Sequence, residues 1–90
     1  MIRKKLIIFG KVQGIGFRFF AQIKATHLSL TGYAKNPENG NVEINIQGES
    51  KNIDNFISIL RKGNGFSRID NITETELPIE QCETNFSAKY

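Results

Sequence analysis

The apolar period of this chain changes at Gly48. Before it, Val42, Ile44 and Ile46 alternate with Glu43, Asn45 and Gln47, the two-residue repeat of a strand with one apolar face. After it, Ile53, Phe56, Ile57 and Leu60 recur at i, i+3, i+4 and i+7, a single stripe along a helix. Neither face can be buried alone, so the chain must lay helix against sheet. The alternation predicts that Val42, Ile44 and Ile46 face the core while Glu43, Asn45 and Gln47 stay in water. The helix has Ser50 or Asn52 as a candidate cap and Gly63 just past its end.

Outward from this pair, the same logic orders the rest. Leu6 to Val12 is apolar on both sides with Gly10 interrupting, which suits a central strand. Phe17, Ala21, Ala25 and Leu28 take helical spacing, with Phe20 filling in and Gly32 standing as the stop signal. Tyr33 to Asn36 and Asn41 to Gln47 read as two strands around Pro-Glu-Asn-Gly, where Asn39-Gly40 supplies the positive φ of a hairpin turn. Ser67 to Glu76 reads as a strand, but Ile69 and Ile72 are three apart, which predicts a bulge or bend. Phe86, Ala88 and Tyr90 alternate as a last short strand.

This order is the split βαβ pattern. The expectation is an α+β, ferredoxin-like βαββαβ two-layer sandwich. Its sheet is mixed but mainly antiparallel, with two helices on one face and a short extra C-terminal strand. Ninety residues, 39% of them apolar and 23% charged, hold one core, so residues 1–90 are expected to form a single domain.

Several function classes are disfavoured by content. Twelve Lys and Arg against nine Asp and Glu give a net charge of +3, which favours a small anion but is too slight for a dedicated nucleic-acid binder. Cys82 is the only cysteine, so no intramolecular disulfide or Cys-based metal site can form, and a reducing cytoplasm is the default compartment. The basic N-terminus precedes an apolar run that Lys11 cuts short of the ~7 residues of a signal core, and it reads as a strand. No stretch reaches the ~20 apolar residues of a membrane span.

The chemistry concentrates in G-K-V-Q-G-I-G-F-R, Gly10 to Arg18, between the first strand and the first helix. Gly14 and Gly16 let backbone approach a ligand, and the helix start offers unpaired N–H groups, so the segment can cradle an anion; equally, the glycines can simply make a tight turn. A dinucleotide fingerprint fails because Phe19 occupies the third glycine position, and the phosphate-loop pattern is absent. Arg18 places a cation in the first turn, against the helix dipole. Either an anion sits there or the guanidinium reaches solvent. Asn36 precedes Pro37, which restricts it to extended backbone; it is a turn residue or an amide able to donate and accept, as holding a water requires. His27 and Arg3, Lys4 and Lys5 read as solvated. Asp70, Glu74 and Glu76 read as wet-face strand residues, and Thr75 to Ser87 carries no recognisable motif.

G-K-V-Q-G-I-G-F-R resembles the first signature of acylphosphatases, and G-Y-A-K-N-P-E-N-G-N-V-E-I-N-I-Q-G, Gly32 to Gly48, resembles the second. Ile15 stands where valine is usual, and Pro37-Glu38-Asn39 varies a variable turn. The resemblance implies the ferredoxin-like fold and hydrolysis of the carboxyl–phosphate bond of acyl phosphates to a carboxylate and inorganic phosphate. Arg18 would bind the phosphoryl oxygens together with the backbone amides of Gln13, Gly14, Ile15, Gly16 and Phe17, and Asn36 would position the attacking water. No cofactor and no metal are implied. The expected partners are a small acyl phosphate substrate, with inorganic phosphate as product and competitive ligand; no nucleic acid, no membrane and a monomeric state are expected.

Two other readings use the same architecture. An RNA-recognition domain stacks bases on aromatics of its central strands, whereas this central strand offers Glu43, Asn45 and Gln47. A non-catalytic phosphate or anion-binding module could use the same glycine segment, and turnover of an acyl phosphate separates it from an enzyme.

Overall fold

The computed structural model describes residues 1–12, 16–37 and 39–89. The elements run β1 (Ile2–Lys11), α1 (Phe17–His27), β2 (Thr31–Lys35), β3 (Val42–Gly48), α2 (Ser50–Lys62), β4 (Arg68–Leu77) and β5 (Phe86–Ala88). The sheet is open, in the order β4-β1-β3-β2-β5. β1 is antiparallel to β3 and β4, β2 is antiparallel to β3, and only β5 is parallel to its neighbour, β2. This is the expected α+β, ferredoxin-like arrangement with its extra strand. Tyr90, expected in the last strand, lies outside the described residues.

One face of the sheet forms the core. Leu6 and Ile8 of β1, Val42, Ile44 and Ile46 of β3, and Ala34 of β2 are buried with Phe17, Ala21 and Ala25 of α1 and Ile53, Phe56, Ile57 and Leu60 of α2. Burying each large side chain of the α2 stripe contributes roughly 1.5–3 kcal/mol. β1 is central, as its two apolar faces implied. The Ile69/Ile72 spacing is a bulge: Phe9 pairs with Asn71 but Gly10 with Ile69, leaving Asp70 as the extra residue. Gly10 sits at φ 140 against the Arg68 carbonyl, where a Cβ would collide with backbone.

Three expectations are corrected. First, α1 does not run on to a stop at Gly32, which is a residue of β2. It ends at His27, and Ser29 at φ 57 turns the chain. Leu30 N–H then donates to the Ala25 carbonyl at 2.9 Å and Ser29 N–H to that of Thr26 at 3.1 Å, the paired bonds of a Schellman ending with serine in the usual glycine place. Second, neither Ser50 nor Asn52 caps α2. Glu49 is the cap residue, with no side-chain cap bond, while Gly63 at φ 74 does end the helix.

Third, the face away from the helices is not simply wet. Asn45 and Gln47 are buried, and so is Arg3, which had read as a solvated strand end. The chain between β4 and β5 lies against this face. Arg3 donates to Glu83 at 2.7 and 3.1 Å and to Gln47 Oε1 at 3.2 Å, Thr31 Oγ1 donates to Glu83 at 2.8 Å, and Gln47 exchanges two bonds with the Glu80 backbone. Burying these groups is tolerable because they satisfy one another.

Candidate active site

Because β1 and β2 are both antiparallel to β3 and β5 is parallel to β2, the C-terminal ends of β1, β2 and β5 share one edge. The segment after β1 leads directly into α1, so the first turn of α1 lies at that edge too. Topology thus brings together two stretches 18 residues apart, Arg18 and Asn36.

Arg18 is the second residue of α1. Its Nη1 donates to the Lys89 carbonyl at 2.7 Å, and Lys89 N–H donates to the Ala34 carbonyl at 2.8 Å, two residues before Asn36. The guanidinium is therefore held against the end of β5 beside the end of β2. The first turn of α1 has no acidic residue, and its cap position, Gly16, has no side chain to bond the first N–H groups. Gly16 is at φ 76 with open space where a Cβ would project. Glycine is needed there for the left-handed turn, not for lack of room. The Phe17 ring anchors the turn in the core, tilted 48° against Phe20 at 5.8 Å.

Asn36 follows the last residue of β2, as its place before Pro37 implied. Its Oδ1 is buried without a hydrogen-bond partner among the described residues. A buried acceptor left unpaired costs roughly 1–3 kcal/mol, so this is an expensive place for an amide unless a ligand or water completes it. The hairpin beyond it turns through Gly40 at φ 86, whose N–H donates to the Pro37 carbonyl at 3.2 Å.

Gln13, Gly14 and Ile15, three of the residues expected to bind phosphate, lie outside the described residues; Gly16, Phe17 and Arg18 lie within them. His27 is exposed in the last turn of α1, nine residues and about 13 Å along the helix from Arg18. Cys82 is exposed and free. Among the described residues no three His, Cys, Asp or Glu side chains gather as a metal site, and no helix is long and apolar enough to cross a membrane. Sequence reasoning missed Lys89. Its part is played by a backbone carbonyl, which leaves no mark on side-chain identity.

The chain is similar to known proteins along nearly its whole length. The acylphosphatase family model matches residues 4–88. An acylphosphatase of Clostridium beijerinckii is 50% identical over 90 residues, covering all of both chains, and one of Clostridium perfringens is 47% identical over 87 residues, 97% of this chain and 98% of its own. The crystal structure of acylphosphatase from Bacillus subtilis superposes with a TM-score of 0.94 at 34% identity, covering 100% of each chain.

Proposed function

Since the chain belongs to the acylphosphatase family and is an enzyme that hydrolyses the carboxyl–phosphate bond of acyl phosphates, we propose that the edge holding Arg18 and Asn36 is its active site. The observation that supports this most is the pairing of a helix-start arginine lacking any acidic neighbour in its turn with a buried, unpaired amide oxygen at the adjoining strand end.

In this reading Arg18 and the amides from Gln13 to Phe17, with Gly14, Ile15 and Gly16 between, bind the phosphoryl oxygens. Backbone N–H groups and the helix dipole stabilise the charge that develops in the transition state. Asn36 holds the attacking water through Oδ1. A carboxylate leaves readily, so positioning and charge stabilisation supply most of the catalysis. The transferring phosphate itself can take the water's proton, and His27 plays no part. Inorganic phosphate, the product, occupies the same cradle and competes with substrate. Residues 1–90 act as one domain and a monomer suffices, because both assigned side chains come from one chain; the cytoplasm is the expected compartment. The non-catalytic anion-binding reading is not favoured, since the curated relatives are named for the activity.

The test is release of phosphate from benzoyl phosphate by the purified protein and by Arg18→Lys. Lysine keeps the charge but not the planar fork, and most of the turnover should be lost. A lysine variant retaining most of kcat/KM would contradict the assignment.

A further inference from the structure

β5 is three residues long, too short for its own ladder to fix where it sits, yet its C-terminal end carries the carbonyl that holds Arg18. Three residues before β5, Glu83 is clasped from two sides: bidentately by the buried guanidinium of Arg3 and by the hydroxyl of Thr31, the first residue of β2. Two residues on, the Asn85 carbonyl accepts from Gly32 N–H at 3.0 Å, and Phe86 enters the core beside Phe56 with ring centres 6.3 Å apart. From there the strand pairs Gly32 with Phe86 and Ala34 with Ala88 before reaching Lys89. One end of this run is a charged clasp at the start of β2, and the other is the Arg18 hydrogen bond.

We propose that Glu83 is a positioning residue for catalysis: clasped by Arg3 and Thr31, it sets the register of β5 on β2 and thereby places the Lys89 carbonyl that orients Arg18. A strand this short can slip or lift at little cost, and a slip of one residue reverses the direction of every group it presents. Phe86 selects the side of the sheet on which β5 packs. The clasp selects its level along β2, because Glu83 is the charged residue upstream of β5 that is tied to both β1 and β2. The inference rests on the assignment of Arg18 above.

The experiment compares Glu83→Gln with the wild type in benzoyl phosphate kinetics, with inorganic phosphate as inhibitor and with the Arg18 Nε–H resonance as a spectroscopic marker. Both proteins are measured where circular dichroism shows them folded. The expected result is a rise of roughly fivefold in both KM and the phosphate inhibition constant, as for a partly lost charge-assisted bond, with a displaced Arg18 resonance. A purely structural role would remove a fraction of active molecules, lowering kcat alone and leaving KM, phosphate inhibition and the resonance in place. That outcome overturns the proposal, as does unchanged kinetics. Glu74→Gln, which breaks the Lys4–Glu74 pair between β1 and β4, serves as the control and should change none of these; an equal effect there also overturns it. Should Glu83→Gln not fold, Thr31→Val reads the same step, and an unchanged KM in that variant counts against the clasp. If Arg18→Ala retains turnover, the site assignment fails; if Arg18→Ala is inactive while Glu83→Gln is neutral, the clasp alone fails.

Discussion

Where β1 and β2 begin, on the face away from the helices, Arg3, Gln47, Thr31, Glu83 and the Glu80 backbone exchange hydrogen bonds with one another. Where the same two strands finish, polar groups are arranged differently. Arg18 stands in the first turn of its helix, Gly16 makes no side-chain cap bond, and Asn36 Oδ1 is buried without a partner among the described residues. Both ends place polarity where it is costly. At one end the molecule meets that cost internally and gains a fixed structure; at the other Arg18 donates to the Lys89 carbonyl while the Asn36 oxygen has no hydrogen-bond partner among the described residues. Polar groups satisfied by each other serve the fold; in the proposed function the edge with Arg18 and Asn36 serves a ligand.

The contrast is sharpest if substitutions at the two ends damage different properties. The largest effect is expected at the satisfied end: Arg3→Ala leaves Glu83 half-buried and without its cation, and breaking such a pair costs about 3–5 kcal/mol of stability, measurable as a lowered urea midpoint. At the other end Arg18→Ala should cost a factor of about 10² to 10³ or more in kcat/KM, the equivalent of roughly 3–4 kcal/mol in the transition state, while the urea midpoint changes far less than in Arg3→Ala, because the hydrogen bond lost to the exposed Lys89 carbonyl is offset by removal of a charge opposed to the helix dipole. An Arg18→Ala protein that loses stability and keeps its activity would erase the distinction.

The two ends were unequally legible in the sequence. Arg18 could be singled out because it breaks a local rule, a cation at a helix start; Asn36 breaks none, its direction being fixed by the following proline and its role implied by the resemblance. The satisfied end broke none. Alternation assigned Asn45 and Gln47 to the face away from the core, which is correct, but the chain that lies over that face follows β4, with Glu80 lying 33 positions from Gln47 and Glu83 80 positions from Arg3. Pairing at that separation has no local signature, so Arg3, Asn45 and Gln47 read as solvated. The serine ending of α1 was hidden for a related reason. Leu30 is buried below it, and tertiary packing imposes at Ser29 a backbone conformation that serine would not choose alone. By contrast the bulge at Asp70 was readable, because displacing one residue shifts the apolar spacing from two to three.

Asn36→Ala sharpens the comparison at an intermediate size. Because Asn36 is proposed to orient the water, its loss should lower kcat roughly tenfold to a hundredfold. Phosphate inhibition should change little and stability should not fall, since the atom removed has no hydrogen bond among the described residues to lose. If phosphate inhibition weakened while kcat held, the roles given to Arg18 and Asn36 would have to be exchanged.

The smallest effect belongs to a pair at neither end. Lys4 Nζ meets Glu74 at 2.8 Å on the outer part of the sheet. This hydrogen bond raises the lysine above its ordinary value of 10.5, with burial opposing and Glu74, Asp54 and Glu76 adding attraction. A pKa raised by folding means that the pair's contribution is complete below the ordinary lysine value and is lost as pH rises through the folded one. As a partly exposed pair it is worth roughly 0.2–1 kcal/mol. Urea midpoints of wild type and Glu74→Gln should therefore differ slightly at pH 8 and converge at high alkalinity, with kcat/KM the same for both.

The central proposal, that the edge holding Arg18 and Asn36 binds a phosphoryl group, is tested most directly by thermal unfolding of wild type, Arg18→Ala and Glu74→Gln across a series of inorganic phosphate concentrations. A ligand that binds only the native state adds RT ln(1 + [L]/Kd), about 2.7 kcal/mol at a hundredfold excess over Kd. Wild type and Glu74→Gln should gain this stabilisation, and Arg18→Ala should lose it. An equal rise in Tm for all three proteins would contradict the account.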